Sequence, residues 1–421
     1  MSKYRRNRIV FYGCALGLSL DLAEYAIGSV LAAFFILSSD PGDKAALTWL
    51  LSSVYAGGIL GASISGLLAD IYGRRRIFII IMLLIFVTSV GGCLAPDATS
   101  LTAIRFVSGM FLGAYPPLMS TYLAETTTAT KRGRLYMNVV ALGACGPVLI
   151  TFLVHYLSQS NPFGMAAWRW AFLVCGFVAL LCSFIFMRMP ESPKWLRLRG
   201  LIQEAEDVEQ CLNIDERHWA GPTTADLKIL PDKFLLVVVY LLSISFIITC
   251  STIGFPLLIG SMFIAKGVSL QSTLLFTGLA SLGYVAGAFV AGTVIDKFER
   301  KSTLLAMGVL TAGVMLVFNA ASSPIVLIIC SIIFKMLVAI ILPLLTVYIS
   351  ELVPTLVRGR VTSLASAARG AGAALVPFLL LPVLERFGVV GMSIVITSSL
   401  VLFLAIVTIF GPRGNANRAI I

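Results

Sequence analysis

The chain has 421 residues, 58% of them hydrophobic and only 12% charged, with a mean hydropathy of +0.97 and a net charge of +11. A water-soluble protein of this length needs far more surface charge, so composition points to a chain largely solvated by lipid. Eight cysteines and two histidines show no metal or disulfide spacing, and there is no nucleotide loop and no Ser/His/Asp or Cys/His set. An enzyme, a resident metal and an organic cofactor are therefore not expected.

Twelve apolar spans are predicted, at roughly 9–37, 48–69, 77–95, 100–124, 135–157, 169–189, 234–264, 270–295, 302–320, 324–349, 361–384 and 388–411. The first is about 28 residues long, too long for the apolar core of a cleaved signal. The longest loop, 190–233, is rich in charge. The expected organisation is an N-terminal six-helix bundle at 1–189, a cytoplasmic central loop with short helices at 190–233, and a C-terminal six-helix bundle at 234–421.

The placement of Lys and Arg explains the basic balance. Of the 31, 24 fall on one side of the predicted membrane. Four (Lys44, Arg169, Lys266, Arg386) fall on the other, and three (Arg105, Lys335, Arg369) lie inside spans. The excess of cations on cytoplasmic loops puts both termini and the central loop in the cytoplasm. The charge reports topology and some attraction to anionic lipid, so no nucleic-acid partner is expected.

Two motifs repeat. Tyr122–Arg134 (YLAETTTATKRGR) and Tyr348–Arg360 (YISELVPTLVRGR) share Tyr-x-x-Glu, six residues, then Arg-Gly-Arg, and their glutamates are 351 − 125 = 226 positions apart. Asp70-Ile-Tyr-Gly-Arg74-Arg75 and Asp296-Lys-Phe-Glu-Arg300-Lys301 have the same offset. Two motifs at one gapless offset mark an internal duplication. Two related helical halves with a site between them are a transporter architecture.

The loop Gly66-Leu-Leu-Ala-Asp70-Ile-Tyr-Gly73-Arg74-Arg75 resembles the signature of the major facilitator superfamily, with Gly66 allowing close helix approach. Its second copy departs at Phe298-Glu299. Arg105-Phe-Val-Ser-Gly109-Met-Phe-Leu-Gly113 is similar to the fourth-span signature of that family. The Tyr-x-x-Glu-x6-Arg-Gly motifs, Trp168-Arg-Trp170 and Pro190-Glu-Ser-Pro-Lys-Trp-Leu196 resemble its sugar-porter, metabolite:proton symporter and organic-ion branches. The resemblance implies an all-α membrane protein with twelve helices in two pseudo-symmetric six-helix bundles. Span seven lacks the Gln-Gln-Leu-Ser type of hexose carriers, which argues against hexose.

Asp70, Arg74, Glu125, Arg132, Asp296, Arg300, Glu351 and Arg358 lie at cytoplasmic span ends. They are expected to form ion networks that close that side in one state, or that simply cap helix ends. Ionisable groups at mid-membrane are costly and usually functional. Asp21 and Glu24 share a face of span one, and Arg105 on span four lies at a depth where it can meet Glu24. This trio is the candidate for proton coupling, or for a static tie between spans one and four. Metabolite:proton symporters that the chain resembles often carry two acids here, and the sugar-porter acid aligns with Glu24.

Lys335 and Arg369 lie inside spans ten and eleven, and no acid lies within spans seven to twelve to neutralise them. A substrate carboxylate is one candidate partner, and Asp21 or Glu24 is another. Arg369 sits in an Arg-x-Gly…Pro377 stretch that resembles organic-anion and nicotinate-type carriers. Asn138, Tyr25, Tyr115, Phe276 and Tyr284 are further lining candidates, or ordinary helix packing.

The sequence therefore reads as a carrier for a small organic solute, most directly an organic anion, driven by protons through alternating access. It is expected as a monomer in the lipid bilayer of a bacterial inner membrane. The alternatives are a proton-coupled exporter, hinted at by Gly143-x-x-Gly146-Pro147, a sugar symporter, and a non-transporting nutrient sensor.

Overall fold

The computed structural model describes residues 3–37, 41–160, 162–212, 234–294, 298–353 and 355–412; within these, the side chains at 3–7, 41–45, 129–132, 293–294, 355–356 and 358 are not described. Asp296 therefore lies outside the described residues, as do the side chains of Arg132 and Arg358 and most of the central loop.

Every long described element is a helix. In the first part of the chain these are α1 (Lys3–Ile36), α2 (Pro41–Tyr72), α3 (Arg74–Leu94), α4 (Ala98–Thr126), α5 (Ala129–Gly143), α6 (Cys145–Ser160) and α7 (Ala167–Phe186). Two short helices follow, α8 (Pro193–Leu198) and α9 (Ile202–Leu212). The remainder is α10 (Phe234–Ile247), α11 (Thr249–Thr252), α12 (Gly254–Ala265), α13 (Leu270–Val294), α14 (Arg300–Ala320), α15 (Pro324–Glu351) and α16 (Thr355–Phe410). In lipid the backbone must satisfy its own hydrogen bonds, which is why apolar runs of this length settle as helices.

Ten described segments are long and apolar enough to cross a membrane. The last holds 52 residues, far more than the ~20 that span a bilayer, and it breaks at Gly388, where φ is 62°. It thus supplies two spans, as expected. The fourth span, α4, is long enough but carries the charge and hydroxyls of the interior. Together these make the twelve spans of an all-α multi-pass membrane protein.

Spans five and seven were expected to be continuous, and both are interrupted. Span five breaks at Ala144, between α5 and α6; span seven breaks near Ile248 and again at Ile253. Proline is the cause. It has no N–H and its ring crowds the carbonyl four residues back. Pro147 and Pro256 stand three residues past the breaks at Ala144 and Ile253. The hydroxyls of Ser251 and Thr252 add to the second break by donating to Ile248 O.

The chain forms two compact units: Met1–Gly28 with Ser53–Gly221, and Ser29–Ser52 with Pro222–Ile421. In the first, α2 crosses α4 so closely that a Cβ at Gly57 or Gly61 would collide with Phe106 O or Met110 O. In the second, a Cβ at Gly283 or Gly287 would collide with Ile332 O or Met336 O, where α13 crosses α15. Each of these four partners is displaced by the same 226 positions, so the duplication extends to individual backbone contacts. Small residues at such crossings let membrane helices gain packing contact. Gly66, expected to serve close approach, does not: nothing lies within 4 Å of its Cβ position.

Helix ends are neutralised by distant cations. Arg169 donates to Cys93 O (2.5 Å) and Ala95 O (2.8 Å) at the C-terminus of α3. Lys266 donates to Asn319 O (3.0 Å) and Ala321 O (2.8 Å) at the C-terminus of α14. Both satisfy orphan carbonyls at the negative end of a helix dipole.

Candidate functional site

Inside the first unit, Glu24 of α1, Ser89 of α3 and Arg105 of α4 meet. Arg105 Nη1 donates to Glu24 Oε2 at 3.0 Å, and Arg105 Nη2 donates to the Glu24 carbonyl at 3.1 Å. Ser89 Oγ donates to Glu24 Oε1 at 2.6 Å. Arg105 is 1% exposed and Glu24 0%. The guanidinium also lies 5.6 Å from the centre of the Phe172 ring on α7. Glu24 thus has both oxygens and its carbonyl engaged by charge-assisted or short bonds, the strong kind of buried pair.

Asp21 is different. It is 1% exposed, one turn earlier on the same helix face, and its Oδ1 has no hydrogen-bond partner among the described residues. Tyr25, one turn further along α1, stacks on Tyr55 of α2 with ring centres 5.4 Å apart. Tyr115 is fully buried, donates to Cys14 O at 2.9 Å and packs on Phe78 and Phe186, so it is part of the packed interior. Asn138 is exposed on α5. Gly143 and Gly146 stand where α5 and α6 meet α1; a Cβ at Gly146 would collide with Ser19 O, which gives this stretch a packing role.

Inside the second unit, Lys335 of α15 is 2% exposed. Its Nζ donates to Ser281 Oγ of α13 at 3.1 Å and lies 5.5 Å from the centre of the Tyr284 ring. No carboxylate lies within ion-pair distance of it among the described residues. Ser281 continues a hydroxyl row on α13 with Thr273 and Thr277, both buried at four-residue spacing. Phe276 packs edge-on against Phe263. Arg369 of α16 is half-buried and donates to Ser366 Oγ (3.2 Å) and Thr346 Oγ1 (3.4 Å). Thr346 lies eleven residues along α15 from Lys335, about 16 Å at ~1.5 Å per residue. Lys335 and Arg369, expected to grip one anion together, therefore stand about three turns apart.

Two further ion pairs stand at equivalent positions of the two units. Arg74 meets Glu125 (Nε to Oε2, 3.1 Å) and Asp70 (2.8 Å), and Ser192 Oγ donates to Glu125 Oε2 at 2.6 Å. Arg300 meets Glu351 (Nε to Oε1, 3.1 Å). Tyr122 donates to Pro190 O, and Tyr348 to Pro412 O, each at 2.8 Å.

Glu191 is a residue the sequence reading did not single out. It accepts from the backbone N–H of Arg74 (2.9 Å), Arg75 (3.1 Å) and Ser192 (2.9 Å), capping α3 from 117 residues away. Burial pushes its carboxyl above the usual range, against the pull of these N–H groups and of Arg74. Its signal was the Pro190–Leu196 motif, whose partner only the fold reveals. Ser89 and Tyr55 were also missed, and nothing local marks either.

Comparison with known proteins follows the same lines. The sequence model of the family described as "Sugar (and other) transporter" matches residues 21–223, and that of the "Major Facilitator Superfamily" matches residues 241–419. A putative metabolite transport protein of Bacillus subtilis, YyaJ, is 25% identical over 383 residues, covering 86% of this chain and 83% of that protein. The niacin transporter NiaP of Acinetobacter baylyi is 28% identical over 270 residues, covering 61% of this chain and 60% of that protein. Among solved structures, the proton:xylose symporter XylE superposes with a TM-score of 0.77 at 19% identity, covering 99% of this chain and 98% of that one. With its motifs, its fold and these matches in agreement, this chain belongs to the major facilitator superfamily, as a membrane transporter of the sugar and metabolite type and not an enzyme.

Proposed function

We propose that the protein imports a small organic anion together with protons, by alternating access. The observation that carries the anion is Lys335: a buried cation, partnered by a hydroxyl and an aromatic face, in a span. A charge at that depth costs about 3 kcal/mol or more, which an anionic substrate would offset. The hydroxyl row of Thr273, Thr277 and Ser281 supplies further hydrogen-bonding groups. Tyr284 and Phe276 supply aromatic surface. Niacin, a small carboxylic acid, is the named cargo of one relative, which supports this class. Arg369, nearer the cytoplasmic end of α15, acts at a separate point on the substrate's path.

Proton coupling draws on the buried acids of α1 beside Arg105, and the XylE likeness supports it in kind. The ion pairs of Arg74 with Glu125 and Asp70 and of Arg300 with Glu351 serve as cytoplasmic latches. A latch of a few kcal/mol is enough to bias two conformations close in energy. The protein works as a monomer in a bacterial inner membrane with both termini cytoplasmic, organised as bundles at 1–189 and 234–421 around the 190–233 loop.

The test is a thermal-shift panel on purified protein with nicotinate, xylose and organic cations. A ligand that binds the folded state raises the melting temperature by mass action. Nicotinate or a related carboxylate is expected to stabilise wild type and to lose that effect in Lys335→Ala. Stabilisation by xylose or cations alone overturns the anion reading.

A further inference from the structure

The two acids of α1 differ in a way that assigns them different work. Glu24 is saturated: Arg105 holds Oε2 and the backbone carbonyl, and Ser89 holds Oε1. To exchange a proton it would have to disturb several buried bonds, two of them to a charged partner and so of the strong kind. Breaking such a pair also strands the buried guanidinium of Arg105. A group that must load and unload a proton in every cycle is poorly placed there.

Asp21 is buried to the same degree, yet its Oδ1 meets no donor among the described residues. It forms no ion pair among the described residues: Arg105 is committed one turn away. The ionisable groups that act on it are Glu24 and Tyr25 of α1 and Tyr115 of α4. Of these, the Tyr115 hydroxyl already donates to Cys14 O. A buried carboxylate oxygen without a donor is expensive, and adding a proton removes that cost without disturbing any neighbouring bond.

We propose that Asp21 is the carboxyl that takes up and releases the coupled proton, and that Glu24 is the fixed counter-ion of Arg105. Resemblance by sequence would give the proton to Glu24; the hydrogen bonds give it to Asp21. In the step itself one proton from water adds to the Asp21 carboxylate on one side of the membrane and leaves to water on the other, with no other bond made or broken. The assignment rests on the proton-coupled reading above.

The experiment is infrared difference spectroscopy of the full chain in lipid vesicles, acid minus alkaline buffer, reading the C=O stretch of a protonated buried carboxyl. The expected result is a band that titrates in wild type, is lost in Asp21→Asn and shifts in frequency in Asp21→Glu. A melting temperature matching wild type controls for folding. If Asp21→Asn fails to fold, the shift in Asp21→Glu decides alone. A band that survives unchanged in Asp21→Asn, or that is absent from wild type, overturns the assignment. The coupling reading fails separately. It falls if the Asp21 band titrates but collapsing the proton gradient leaves nicotinate accumulation in the same vesicles unchanged.

Discussion

The two halves of the chain solve the same mechanical problems, and they do so in three different ways. Some solutions repeat residue for residue. Gly57 and Gly61 recur as Gly283 and Gly287, Arg74 with Glu125 recurs as Arg300 with Glu351, and Tyr122 recurs as Tyr348. Others repeat in effect with unrelated residues. The C-terminus of α3 is capped by Arg169, in the first turn of α7, and the equivalent end of α14 by Lys266, which follows α12. The N-terminus of α3 is capped by Glu191 from afar. That of α14 is capped by its own Glu299, which accepts from Ser302 N at 3.0 Å.

That last difference explains why the second loop copy departs from the first. Gly73 has φ 94°, and a Cβ there would lie 2.5 Å from Glu191 Oε2. Position 73 must stay bare so that Glu191 can reach the helix end. At the equivalent position, Glu299 has φ −63° and does the capping itself. The third category does not repeat at all. Glu24 with Arg105, and Lys335 with Ser281, have no counterpart in the other half. Lys335 stands 226 positions after Gly109, a crossing glycine. Duplication kept the scaffold and these ion pairs, and it left the interior charges free to differ.

The sharpest way to break this comparison is to remove the arginine from each of these ion pairs. Glu125 is 6% exposed at its side chain and Glu351 24%. Arg74→Ala strands a buried carboxylate and is expected to cost about 3–5 kcal/mol. Arg300→Ala, in a wetter pair, is expected to cost about 1 kcal/mol. Thermal denaturation of the two variants decides it, and equal losses would mean the halves are equivalent here after all.

A smaller effect is expected from Gly73→Ala. The backbone at φ 94° and ψ 154° is essentially reserved for glycine and costs about 1–3 kcal/mol for a residue with a Cβ, and displacing the Glu191 cap adds about 1. Glu299→Gly should cost about 1 kcal/mol or less. Similar melting temperatures for the two would undo the capping account.

The smallest effect is a pH slope. The carboxyl of Glu191 is raised above its ordinary value, chiefly by burial. The folded state then holds that proton to higher pH than the unfolded chain does. Its stabilising contribution is complete below the unfolded value of about 4.3 and is lost as pH rises through the folded one. Glu191→Gln should flatten the fall in stability above about pH 4.3, and an unchanged slope would assign it to another group.

Much of this protein could be read from the chain. Span length and hydropathy fixed twelve crossings because each crossing is a local, additive property of about 20 residues. Constant-offset motifs exposed the duplication, and helical depth alone brought Glu24 within reach of Arg105. Tertiary structure decided the rest. The role of Glu191 depends on a partner 117 positions away, which no periodicity encodes. The separation of Lys335 from Arg369 depends on which turn of α15 faces α16. The breaks in spans five and seven depend on how prolines, hydroxyls and neighbouring helices share the freed backbone groups. The contrast between a saturated Glu24 and an Asp21 whose Oδ1 meets no donor among the described residues is invisible in a sequence where both are acids three residues apart. Hydrogen bonds between distant side chains draw that distinction, and only the folded packing of α1, α3 and α4 sets them.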